Sequence, residues 1–110
     1  MADAKEKLAG INARAMALYK ADGKTMGAFR ELMASATREG RLSPAMKEMV
    51  AIAVAVARGC EDCIVFHAHE AKGRGASREE LVEILAVAIE MSGGPGTVYA
   101  GKALAAFDEL

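Results

Sequence analysis

The sequence predicts an all-α fold, a compact domain of about six helices that spans residues 1–110 and assembles into an oligomer. Three observations carry this. The chain has 110 residues, near the usual size of one domain. It is 53% hydrophobic but only 5% aromatic, with no Trp and seven Met, so its apolar mass is in small and flexible side chains that let helices approach closely. And its apolar residues recur at spacings of three and four between recognisable helix caps and breaks. A small chain this apolar is also expected to bury one face against other copies.

The first helix is expected from Asp3 to about Tyr19, with Leu8, Ile11, Ala15 and Leu18 on its buried side and Lys5, Lys7, Asn12, Arg14 and Lys20 between them. Asp22-Gly23 breaks it. Thr25 fits the N-cap of a second helix, about Met26 to Thr37, buried through Phe29, Leu32 and Met33, with Gly40 placed for a left-handed closing turn. A third helix opens at Ser43-Pro44: serine caps free amides, and proline fits the first turn, where its missing N–H is not needed. It runs to Arg58-Gly59. Val50 to Val56 alternates large and small residues, which would also suit a buried strand. Helix is preferred because every residue of the run is apolar, alanine favours helix, and the distance from cap to glycine suits one. A helix apolar all round belongs at the centre of the fold.

The fourth helix carries the cysteines and ends near Gly73-Arg74-Gly75. Ser77 and Glu80 form a capping-box pattern for a fifth helix, whose apolar side is Leu81, Ile84, Leu85, Ala88 and Ile89. Ser92 to Gly96 is a strong break, and a last helix runs from about Thr97 to Phe107.

Net charge is −1 with acids and bases interspersed, which argues against nucleic acid or an anionic membrane as a partner. No apolar run is long enough to span a bilayer, and the charged start from Met1 to Lys7 lacks the apolar run of a signal peptide. A cytoplasmic protein is expected. In that compartment a close cysteine pair is more often catalytic or metal-binding than a structural staple.

Both cysteines lie in one motif, Cys60-x-x-Cys63-x-x-x-His67, following Gly59. At about 100° per residue, steps of three and seven return near one helix face. Two thiols and a base would then share that face, the parts of a redox dithiol site. The helix dipole favours Cys60 as nucleophile, whereas the base one turn away favours Cys63. A zinc site wants four ligands, and only Cys60, Cys63 and His67 lie together, because His69 falls on nearly the opposite side. His69 is expected at the surface or an interface. No metal and no cofactor are expected. Glu48 is the second anomaly: its stripe on the third helix is Pro44, Ala51, Ile52 and Ala55, otherwise apolar. Either it reaches water or a basic partner from the helix start, or it orients His67.

The run Leu42-Ser43-Pro44…Glu48…Cys60-x-x-Cys63-x-x-x-His67, followed by Gly75-Ala76-Ser77-x-x-Glu80-Leu81, resembles the carboxymuconolactone decarboxylase superfamily, most closely its alkylhydroperoxidase D branch. The resemblance covers roughly Phe29 to Tyr99. It implies an all-helical fold assembled as a trimer or hexamer. It also implies Cys60 and Cys63 as the redox pair, Cys63 as the peroxide-attacking thiol, His67 as its base and Glu48 as a proton-relay carboxylate. The chain departs from that branch at Asp62, where the pattern has a histidine directly before the second cysteine. A negative charge there tends to raise a neighbouring thiol's pKa.

The activity expected is that of a peroxiredoxin-type thiol peroxidase, an antioxidant oxidoreductase acting on organic hydroperoxides and recycled by an external dithiol reductant. The alternatives are a dithiol–disulfide oxidoreductase acting on a protein partner, a decarboxylase of small cyclic acids, and a non-enzymatic helical oligomer with a vestigial or sensing cysteine pair.

Overall fold

The computed structural model describes residues 3–110, which form six α-helices: α1 (Ala4–Ala21), α2 (Gly23–Ala36), α3 (Pro44–Arg58), α4 (Glu61–Gly73), α5 (Arg78–Ser92) and α6 (Gly94–Glu109). There is no strand among the described residues, and Val50 to Val56 is helical. Nor is any helix there long and apolar enough to cross a membrane.

Helices α3, α4, α5 and α6 make the core, with α3 packed on α4, α5 and α6. Its centre is Met49 and Ile52 of α3, Ile64 of α4 and Leu81 of α5, all almost fully buried. Alanines at 55, 68, 71, 100, 103 and 106 fill the contacts between helices. Close approach is sharpest at Gly96, where a Cβ would lie 2.8 Å from Cβ of Ser92 and 3.3 Å from the Ile89 backbone. The expected buried side of α5 is the observed one, and its capping box is present in both directions, Glu80 N–H to Ser77 Oγ and Ser77 N–H to Glu80 Oε1.

The front of the chain departs from expectation. α2 touches α1 and no other helix, and none of its residues is buried. Phe29 and Leu32, expected inside, are 51% and 62% exposed, and Met33 is half-buried. On α1, Leu8 and Ile11 pack on the core, but Ala15 and Leu18 are exposed, because the second half of α1 extends beyond the bundle. α3 is central as expected yet not buried all round: Val50 and Val54 face outward.

Three boundaries also differ. Asp22, not Thr25, caps α2: its carboxylate accepts from the Thr25 N–H at 3.1 Å, and the chain re-enters helix at once. α2 ends at Ala36, before Gly40, which is not left-handed. Thr37 closes it, its hydroxyl donating to the Met33 carbonyl at 2.8 Å. α6 starts at Gly94 rather than Thr97, because Pro95 in a first turn loses no needed hydrogen bond.

Charged pairs tie the ends of elements together. Arg78 holds Asp108 through two contacts of 2.9 and 3.2 Å, and the Ala4 N–H donates to Glu109 at 2.7 Å. Hydrogen bonds hold four carboxyl groups below their ordinary range: the Thr25 amide at Asp22, Lys7 at Glu61, the Ser77 amide at Glu80 and Arg78 at Asp108. A lowered carboxyl adds stability that is present above its unfolded value and lost as pH falls through its folded one. The midpoint of thermal unfolding is therefore expected to be flat from pH 7 to about 5 and to fall toward pH 3, less steeply at high salt because these groups are exposed. Circular dichroism melts check this, and a midpoint that rises on acidification contradicts it.

Candidate functional site

The site begins at a turn. Gly59 adopts φ +68°, a left-handed conformation that costs other residues roughly 1–2 kcal/mol. A Cβ at this position would also meet the Tyr99 ring at 3.3 Å. The turn lets the Cys60 N–H donate back to the Ala55 carbonyl at 3.0 Å, and α4 starts without a linker. Cys60 is itself the N-cap of α4: its sulfur accepts from the Cys63 N–H at 3.3 Å. Cys60 and Cys63 are joined as a disulfide, with Cα atoms 5.3 Å apart. Cys60 is half-buried and Cys63 exposed.

One turn further, His67 lies four residues beyond Cys63. Its Nδ1 is 2.7 Å from Oε1 of Glu48, a residue 3% exposed on α3. The carboxylate therefore reaches the histidine across the α3–α4 contact. A carboxylate accepts, so Nδ1 carries the proton and Nε2 is left as the basic nitrogen. The Phe66 ring packs edge-on to the imidazole, with centroids 5.1 Å apart. The other Glu48 oxygen, Oε2, faces Nε of Arg74 at 3.6 Å, and the same nitrogen lies 3.8 Å from Glu70.

Cys63 and His67 line the same open groove, about 740 Å³, between α4 and the α1–α2 arm. Its walls are mostly apolar, among them Ile11, Met16, Phe29 and Phe66, with Arg30, Asp62 and Glu70 at its polar points. The acids flanking the cysteines are both paired. Asp62 takes Arg14 of α1 at 3.1 Å, and Glu61 takes Lys7 of α1 and Lys102 of α6. The Asp62 charge expected to burden the neighbouring thiol is thus partly offset by a guanidinium from α1. His69 is exposed, away from this face. Among the described residues no group of three or more His, Cys, Asp or Glu side chains is arranged to hold a metal ion.

A model of the carboxymuconolactone decarboxylase family matches residues 23–106. The chain belongs to the carboxymuconolactone decarboxylase family. The match runs beyond Phe29–Tyr99 on both sides and takes in all of α2 to α5. The structure superposes on the crystal structure of an apo carboxymuconolactone decarboxylase family protein from Legionella pneumophila with a TM-score of 0.93 at 38% identity, covering 96% of this chain and 95% of that one. The sequence is 49% identical over 108 residues to an uncharacterised protein of Cupriavidus necator, spanning 98% of this chain and 96% of that one. It is 37% identical over 83 residues to uncharacterised protein 4 in the cox locus of Paracoccus denitrificans, spanning 76% and 75% of the two chains. The six-helix fold is the fold of this family.

Sequence reasoning singled out Glu48, Cys60, Cys63 and His67; the structure joins Cys60 to Cys63 and His67 to Glu48, and puts Cys63 and His67 on one groove. Sequence reasoning missed Arg74, Arg14, Lys7 and Lys102. Of the contacts these make, only Glu70–Arg74 had a local signal, opposite charges four residues apart on one helix. The rest join residues distant in sequence.

Proposed function

We propose that the protein is a thiol-dependent peroxidase acting on organic hydroperoxides. The observation that supports this best is that Cys63, in disulfide reach of Cys60, shares an apolar groove with His67, whose other nitrogen is held by the buried Glu48. In the reduced protein, Nε2 of His67 takes the Cys63 proton. The thiolate attacks the terminal oxygen of the hydroperoxide and the O–O bond breaks. The alkoxide leaves as alcohol with the proton from His67, and Cys63 becomes a sulfenic acid. The Cys60 thiol then attacks that sulfur. The S–S bond forms and the hydroxyl leaves as water, taking the Cys60 proton. An external dithiol restores both thiols by exchange, which suits the cytoplasm expected from the sequence. Exposed Cys63 supports its role as the attacking thiol, and half-buried Cys60 suits the resolving one. The apolar groove walls favour an organic tail on the peroxide.

The active form we propose is a homo-oligomer, a trimer or hexamer. The accessible surface of the single chain is 6919 Å², whereas an 11.5 kDa monomer is expected to show about 5,800 Å². Exposed Phe29, Leu32, Val54, Val87, Met91 and Val98 supply apolar area on four helices. Sedimentation equilibrium is expected to give three or six times the chain mass, and a monomer at micromolar concentration contradicts it.

Replacing Cys63 by Ser is expected to abolish hydroperoxide consumption. Cys60→Ser is expected to allow one turnover and to leave a sulfenic acid that dimedone traps at Cys63, detected by mass spectrometry. Turnover retained in Cys63→Ser, or dimedone adduct at Cys60 in that variant, overturns the assignment.

A further inference from the structure

Glu48 is the only charged side chain buried in the core among the described residues. A carboxylate in that position keeps its charge and its aim only against donors that face both oxygens. His67 serves Oε1, and the group facing Oε2 is Arg74.

Arg74 is well placed to hold still. It is the C-cap residue of α4, and its backbone N–H donates to the Glu70 and Ala71 carbonyls. Its side chain, 39% exposed, reaches inward from there and is braced by Glu70 four residues earlier. Glu48, His67, Glu70 and Arg74 line an open pocket of about 190 Å³ that adjoins the larger groove, together with Arg30 of α2. His67, with Phe66 and Glu70 beside it, lines both spaces, so the histidine that holds Glu48 also faces the groove that Cys63 lines.

We propose that Arg74 is a positioning residue of this site. It supplies the counter-charge that keeps Glu48 an acceptor for Nδ1–H of His67, and so keeps Nε2 free to take the Cys63 proton. This rests on the reading of Cys63 and His67 as a thiol–base pair, not on the identity of the oxidant. Removing Arg74 leaves Oε2 with no Lys or Arg nitrogen within 4 Å among the described residues, loosens the grip on Nδ1–H and slows thiolate formation at Cys63. Arg74 is ion-paired with Glu48 and Glu70 and with neither cysteine, and the double variant with Glu48→Gln separates a path through Glu48 from one through Glu70.

The test measures iodoacetamide alkylation of Cys63 in the fully reduced protein at neutral pH, read by peptide mass spectrometry. It compares wild type, Arg74→Ala, Arg74→Lys, Glu48→Gln and the double variant Glu48→Gln/Arg74→Ala, with folding checked by circular dichroism. Arg74→Ala is expected to slow alkylation about fivefold or more, part of the ~100-fold or greater gain that a positioned base supplies. Arg74→Lys, which keeps the charge, is expected to recover most of that loss. In the Glu48→Gln background, Arg74→Ala is expected to add nothing. Alkylation of Arg74→Ala at the wild-type rate, Arg74→Lys as slow as Arg74→Ala, or losses that multiply in the double variant overturn the proposal. Wild-type Cys63 that alkylates no faster than free cysteine overturns both this and the thiol–base reading. If these rates hold while the wild type consumes no hydroperoxide, the peroxidase reading fails and the role of Arg74 stands.

Discussion

A buried carboxylate on one helix holding a histidine on the next is the contact on which this site depends. Burying Glu48 at 3% exposure costs several kcal/mol unless its oxygens find donors. His67 is the hydrogen-bond donor and Arg74 the facing counter-charge at 3.6 Å, and both belong to the α4 segment. The same contacts that make the carboxylate tolerable therefore hold α4 against α3 and hold the imidazole on α4. The Gly59 turn completes the constraint, since it joins α3 to α4 without slack and makes Cys60 the N-cap of the helix that carries His67.

Around this contact the molecule has two halves of different character. α3 to α6 form a core packed through alanines and a few large side chains. α1 and α2 form an arm that shields one side of the groove and sends Lys7 and Arg14 to the acids beside the cysteines. Because these pairs are exposed and screened by water and salt, they bear on the charge near the thiols more than on stability. No residue of α2 is buried within the chain.

How far the sequence was legible divides along the same line. Caps and breaks are local, so Ser43, Gly59, Ser77 and the helices they bound could be read directly. The C-x-x-C-x-x-x-H face follows from helix geometry alone. Glu48 stood out as a carboxylate in an apolar stripe, but its partner depended on how α3 and α4 meet, and its contact with Arg74 had no sequence signature. The apolar face of α1 packs on the core at Leu8 and Ile11 but not at Ala15 and Leu18, and that of α2 is not buried within the chain, because periodicity shows that a face is apolar and not what it packs against. Thr25 yielded to Asp22 for a similar reason: both are good caps, and competition between neighbours is decided by backbone geometry.

The most direct test of the account is a stopped-flow titration of the reduced protein with an organic hydroperoxide such as cumene hydroperoxide, followed by mass spectrometry of the product. The account predicts rapid, stoichiometric oxidation to a Cys60–Cys63 disulfide with one equivalent of alcohol released. Slow or absent oxidation, with both thiols titrating near pH 8.5 like free cysteine, would contradict it.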